Sequence, residues 1–247
     1  MYDIARGLSF LHENNLIHNN LRAENISIQV MQNNTIKFKI GDFGMSAIVD
    51  DDNLINIPTH INWKTINSMP LWAAPESQLI PPHQTYVGNS NDKQKIGKKS
   101  DVWSYGIVLI EILLNGKEPF VDYRDDIKGA HYLHMFIIQS TTAKMDTGNI
   151  YLQPLEEYIH TYLDEIFLAL VDVQDDEKII LLEISKNMCF YSKYNDRKNS
   201  NEILDYLYNQ IHNQIHNQIQ SQNTKKNLES INLAEESEMK NFFRLEV

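Results

Sequence analysis

Only one cysteine, Cys189, occurs in the 247 residues, which excludes an internal disulfide and fits a reducing compartment. A lone cysteine of this kind reads as a small buried hydrophobe, not as a nucleophile. Long apolar runs are also missing. The longest, Ile107–Leu114, is far too short to cross a bilayer and contains Glu111, so no membrane span is expected. Residues 1–10 lack the charged, apolar and small-residue succession of a secretory leader. Positive charge is scarce: 22 Lys and Arg stand against 33 Asp and Glu, for a net charge of −11. The cations are scattered, and without clustered Lys and Arg no extended surface for DNA or RNA phosphates is expected. What is present is ordinary for a globular protein, 42% hydrophobic and 22% charged residues. The composition predicts a soluble, cytoplasmic domain with one sizeable core.

Apolar spacing places the elements. Ile4, Leu8 and Leu11 share one face of an amphipathic helix over Tyr2–Glu13. Two β-rich stretches, Ile26–Val30 and Thr35–Ile40, flank Gln32-Asn33-Asn34 as a hairpin. The stretch from Ser100 to Leu114 is apolar nearly all round, Ile112 included, and such a helix must lie inside the core. Residues 77–99 carry Pro81-Pro82, Gly88 and a Lys-rich end, and read as a solvated loop. Leu155, Tyr158, Tyr162, Ile166, Phe167 and Leu170 form a helical stripe inside a second insertion, 121–182. Past Ser200, read as an N-cap, Leu204, Leu207, Ile211, Ile215 and Ile219 continue one long helix, followed by a polar tail read as disordered. The division expected is a domain over 1–210 and an extended helix with tail over 211–247. His212 and His216 have the i, i+4 spacing of zinc ligands, but no third ligand accompanies them, and a solvated helix face explains them better.

The motifs that carry chemistry begin at His18-Asn19-Asn20-Leu21-Arg22-Ala23-Glu24-Asn25 and continue at Asp42-Phe43-Gly44. Met69-Pro70-Leu71-Trp72, Ala74-Pro75-Glu76, Ser100-Asp101-Val102-Trp103-Ser104-Tyr105-Gly106, Gly116-Lys117-Glu118-Pro119-Phe120 and Cys189-Phe190 with Asp196-Arg197-Lys198-Asn199-Ser200 follow in order. Over about four-fifths of the chain this order resembles the eukaryotic protein kinases, with Leu21-Arg22-Ala23 and Trp72 leaning toward the tyrosine-kinase and tyrosine-kinase-like branch. The resemblance implies a mainly α fold with a small β-hairpin, a kinase C-terminal lobe. It implies ATP and magnesium as cofactors, with Asn25 and Asp42 at the nucleotide and metal positions. His18, Phe43, Gly44 and Asp101 take structural places beside them, Asp101 accepting N–H bonds from the catalytic loop. Glu76 and Arg197 match a buried ion pair. Residues 45–73 match the activation segment and contain no tyrosine.

Two departures from the family pattern decide the expected function. Asn20 stands where the family has its catalytic Asp, and a carboxamide cannot take up a proton. Asn19 stands where an Arg would clamp a phosphorylated residue of the activation segment. Arg22 survives at the position that tyrosine kinases place near the phenolic acceptor. No glycine-rich loop, strand lysine or helix glutamate precedes Met1, so the N-terminal lobe is expected to be absent, either because the chain is incomplete or because the lobe stands alone. The expected function is a pseudokinase with impaired phosphoryl transfer that binds a protein partner or pairs with an intact kinase. The alternative is a truncated record of an active kinase acting on Tyr, Ser or Thr of substrate proteins.

Overall fold

In the computed structural model of the chain the described residues are 1–49, 54–56, 72–74, 95–117, 119–120, 153–170, 176–191, 194–217, 219–220 and 222. The chain divides into two compact units, Met1–Leu204 and Asp205–Val247.

The first unit is built of helices around one apolar post, with short two-stranded sheets beside it. Helix α1, Tyr2–Glu13, buries Ile4, Leu8 and Leu11 as their spacing requires. It stops at Asn14 and Asn15, the latter at φ 56°, a left-handed turn that asparagine tolerates better than most residues. The chain then forms β1, Leu16–Ile17, and β2, Ile26–Val30, which pairs antiparallel with β3, Ile36–Ile40, in the register Ile26↔Ile40. Asn34, at φ 60°, closes the hairpin turn, and Asn33 Oδ1 accepts both the backbone N–H and the hydroxyl of Thr35. The hairpin is fastened to α1 through Asp3, whose carboxylate accepts Phe38 N–H at 3.2 Å and pairs with Lys37 at 3.4 Å.

β4, Ala47–Ile48, pairs with β1, while β5, Leu54–Asn56, pairs with β6, Lys95–Gly97. This last pairing corrects the expectation of a loop through residue 99, because Ile96 is buried against Ile17 and Val49 and residues 98–99 are already helical. An apolar side chain that packs in this way holds its backbone in a strand despite the lysines around it.

Helix α2, Lys98–Leu113, starts two residues before the expected Ser100. Gly97 caps it, and the Ser100 hydroxyl accepts the Gly97 N–H. Val102 through Ile110 are all buried, so α2 is the expected post, whereas Ile112 is 42% exposed and departs from the all-round apolar reading. Gly106 is where the post is tightest: a Cβ there would lie 2.6 Å from Cys189 Cβ and 2.8 Å from Phe190 Cζ. Trp103 meets Phe190 edge-on at 5.0 Å.

Helix α3, Gln153–Leu170, carries the stripe expected inside 121–182. Among its described side chains the deepest are Ile159 and Leu163, each one place beyond Tyr158 and Tyr162. The tyrosines sit beside them against Phe120, and the Tyr162 hydroxyl accepts Phe120 N–H at 3.1 Å, which suits an amphipathic ring with a polar end. Helix α4, Asp176–Ile184, packs on α2 and α3 and passes into a π turn, Ser185–Cys189. At 199–204 the cap is Asn199 and not Ser200: Asn199 Oδ1 accepts Glu202 N–H at 2.9 Å, and Glu202 accepts Asn199 N–H at 2.8 Å.

In the second unit residues 205–217 are helical. Ile215 and Ile219 are each 52% exposed. His212 lies 6.3 Å from the Tyr208 ring, and His216 Nε2 bonds to Gln220. Among the described residues no three His, Cys, Asp or Glu side chains are grouped to hold a metal ion.

Candidate functional site

The loop from His18 to Asn25 is shaped by one carboxylate. Asp101, in the first turn of α2 and 1% exposed, accepts His18 N–H through Oδ2 and Asn19 N–H through Oδ1, both at 2.7 Å. Two short bonds to an ionised acceptor are strong, and they satisfy a buried charge that would otherwise be costly. They hold Asn19 at φ 60°, where asparagine is among the few residues tolerated. The Asn19 side-chain nitrogen is buried without an acceptor among the described residues.

Asp101 has a third donor that sequence reading did not single out. His12 Nε2 lies 3.1 Å from Oδ2, and His12 Nδ1 lies 2.8 Å from Ser200 Oγ. Asp101 can only accept, so Nε2 carries the proton, and in the neutral ring Nδ1 accepts from the Ser200 hydroxyl. The signal in the sequence was a histidine four residues after Leu8 and eight after Ile4, on the edge of the buried stripe of α1. His18 acts elsewhere: its Nε2 donates to Gly41 O at 2.8 Å, and its ring meets Phe43 edge-on at 5.3 Å.

The hairpin brings the second half of the site to the first. Its open end is extended by Gly41 N–H donating to Asn25 O at 2.8 Å, so Asp42 emerges next to the loop. Asp42 takes the left-handed conformation, φ 58° and ψ 71°. Asn20, Asn25 and Asp42 are joined in series. Asn25 Nδ2 donates to Asn20 O at 2.7 Å, and Asn20 Nδ2 donates to Asp42 Oδ2 at 3.2 Å. The amide nitrogen of Asn25 is therefore engaged, while its Oδ1 accepts no hydrogen bond among the described residues. Asp42 keeps Oδ1, which accepts no hydrogen bond among the described residues. Two oxygen donors of this kind suit a hard cation such as magnesium.

Arg22 makes its contacts with other residues. Its guanidinium pairs with Glu24 and lies over the Trp72 ring at 5.2 Å, and Glu24 is largely exposed. Trp72 is itself fixed to α2, since its carbonyl accepts the Ser104 hydroxyl at 2.7 Å and its indole N–H donates to Glu111. Gly44 follows Phe43 in a short 3-10 turn, Phe43–Met45. Arg197, buried, donates to Tyr191 O at 2.9 Å and Lys99 O at 3.1 Å and lies over Trp103 at 5.1 Å. Glu76, its expected partner, and most of the 45–73 segment lie outside the described residues. Cys189 is fully buried, and desolvation pushes its thiol pKa well up, so it stays protonated and inert.

A family model described as protein tyrosine and serine/threonine kinase matches residues 1–135. Curated relatives include a probable serine/threonine-protein kinase of Dictyostelium discoideum, 28% identical over 211 residues, which are 82% of this chain and 20% of the relative. Fibroblast growth factor receptor 2 of Dugesia japonica is 30% identical over 202 residues, 76% of this chain and 19% of that protein. Ephrin type-B receptor 3 of Homo sapiens is 33% identical over 120 residues, 48% and 10% respectively. The chain thus spans about a fifth of the length of the first two relatives.

Proposed function

The chain belongs to the protein tyrosine and serine/threonine kinase family, and from that premise we propose that it is a domain with impaired phosphoryl transfer that acts by binding protein. The observation that carries the proposal is Asn20, at the family's base position, donating its amide to Asp42 where a carboxylate would accept. A group that donates there cannot take the proton of a substrate hydroxyl, and loss of a positioned base costs about 10²–10⁴ in rate.

The residues present fit the family's cofactors. Asn25 and Asp42 would hold magnesium through their side-chain oxygens, and the ion, when bound, would offset charge on ATP phosphates. The rest of the chain's contribution is positioning. Asp101 fixes the loop backbone, His18 ties the loop to Gly41, and the Asn25–Gly41 bond sets Asp42 beside Asn20. Arg22, held by Glu24 and Trp72, belongs to a wall of this loop in the proposed reading. The assignment to the tyrosine-kinase-like branch rests on Leu21-Arg22-Ala23 and Trp72 and is part of the proposal, as is a cytoplasmic location. Among the described residues no helix is long and apolar enough to cross a membrane.

Support for the binding role comes from apolar surface. Phe10, 63% exposed, stands with Met31, Phe38 and Phe43 around a groove of about 890 Å³ between α1 and the hairpin. Exposed apolar side chains gathered in this way mark a place for further protein to pack, in another part of the same polypeptide or in a partner such as an intact kinase.

A second reading, an active protein kinase, is favoured by the retention of Asn25 and Asp42 and by the ordered loop, because electrostatic stabilisation supplies much of phosphoryl transfer. Transfer from ATP to peptide acceptors containing Tyr, Ser or Thr, measured for the wild type and Asn20→Asp in parallel, each joined to a kinase N-terminal lobe, separates the two. The proposal expects the variant to be faster by at least a hundred-fold. A wild type as fast as the variant would overturn it.

A further inference from the structure

We propose that the Asn20 carboxamide is a built-in substitute for a divalent cation at Asp42, so that a cation entering the site competes with the Asn20–Asp42 hydrogen bond. The inference deepens the reading above, since it rests on Asn25 and Asp42 as the cation's ligands.

The argument starts from what each side chain can do. A carboxylate at position 20 could only accept hydrogen bonds. At the observed 3.2 Å from Asp42 Oδ2, it would place two anionic oxygens in contact, and such a pair requires a cation or a proton between them. Asn20 removes this requirement in two ways. It withdraws one negative charge, and it presents an N–H to the remaining carboxylate. The amide is not free to turn at will, because its backbone carbonyl is anchored by Asn25 Nδ2 at 2.7 Å and the residue before it is held by Asp101. Asp42 is held in turn at φ 58°, following the Gly41–Asn25 bond. The trio is therefore closed by its own hydrogen bonds. A cation bound through both Asp42 oxygens would share Oδ2 with the amide donor, and two positive groups drawing on one oxygen weaken each other's hold, so the ion and the amide compete.

The test is Mn²⁺ titration by calorimetry of the 247-residue chain as wild type, Asn20→Ala and Asn20→Asp. Asn20→Ala deletes the hydrogen bond and adds no charge, so it isolates the competition. It is expected to bind Mn²⁺ about ten-fold more tightly than the wild type, as one hydrogen bond to a charged acceptor implies. Asn20→Asp adds a charge as well and is expected to bind more tightly again. Equal or weaker binding by Asn20→Ala than by the wild type overturns the proposal, and so does failure of Asn20→Asp to bind. The wild type provides a separate readout that needs no variant. Saturating Mg²⁺ should move the Asn20 side-chain ¹⁵N amide resonance toward that of an unbonded carboxamide, and an unmoved resonance contradicts the competition. These results are independent of turnover. Rapid phosphoryl transfer by the wild type would remove the proposed function and leave a tighter Asn20→Ala site standing, whereas unchanged Mn²⁺ affinity would remove this inference and leave a slow domain slow.

Discussion

A single carboxylate, Asp101, holds the turn that carries Asn20, and three donors converge on it. Replacing it by Asn turns one acceptor oxygen into a donor facing a buried N–H. Asp101→Asn is expected to lower stability by about 1–3 kcal/mol and to speed amide exchange at His18 and Asn19 above the global average, which exchange measured by NMR would check. Glu202 offers a pH test. Its carboxyl pKa is lowered, first by the bond from Asn199 N–H and then by Lys198. The cap is thus fully stabilising above the ordinary Glu value of about 4.3 and fades as pH falls through the lower folded value. Thermal melts between pH 3 and 7 should show the wild type losing its advantage over Glu202→Gln on acidification, and a constant difference would contradict the cap. Some of this scale was legible early. Motif order points to Asp101, Asn20 and Asp42, but nothing local points to His12, because the role of a buried histidine on an apolar stripe is told only by its partners. Ser200 reads as a cap in the sequence, since serine and asparagine both cap helices and only the reciprocal bond to Glu202 chooses between them.

The elements follow from periodicity wherever one face is buried. Helix α1 and the hairpin were readable almost to the residue, because the i, i+4, i+7 stripe of α1 and the Asn33-Asn34 turn are local signals. Strand β6 was not, since its only apolar residue, Ile96, is flanked by lysine and glycine and its pairing with β5 is not local. The stripe on α3 placed the helix but not the bottom of its contact, which falls on Ile159 and Leu163. Helix α2 carries the sharpest packing prediction. Gly106→Ala would put a methyl group within 2.6–2.8 Å of Cys189 and Phe190, and overpacking of this kind costs about 1–3 kcal/mol. Urea unfolding would measure it, and an unchanged midpoint would show that the Cys189–Phe190 backbone yields freely. Cys189 on the same contact should react with a thiol reagent only as fast as the chain unfolds, because burial keeps it protonated.

Across the whole molecule, the kinase family accounts for the order of motifs from α1 through α2, and the physics of the site accounts for what is unusual within it. In the proposed reading, a cleft that keeps both cation positions while exchanging the base for a donor serves binding more than reaction. The groove between α1 and the hairpin fits the same view, being lined by exposed apolar side chains. Net charge, scattered cations and the single cysteine narrowed the chemistry from the outset, whereas nothing in composition could reveal that Asn20 and Asp42 would meet. That meeting depends on a hairpin returning the chain to the loop. The account stands or falls on the consequence for turnover. In single-turnover transfer of the γ-phosphate from Mg-ATP to a peptide hydroxyl by this chain joined to a kinase N-terminal lobe, Asn20→Asp should exceed the wild type by about 10²–10⁴, and a ratio near one would contradict it.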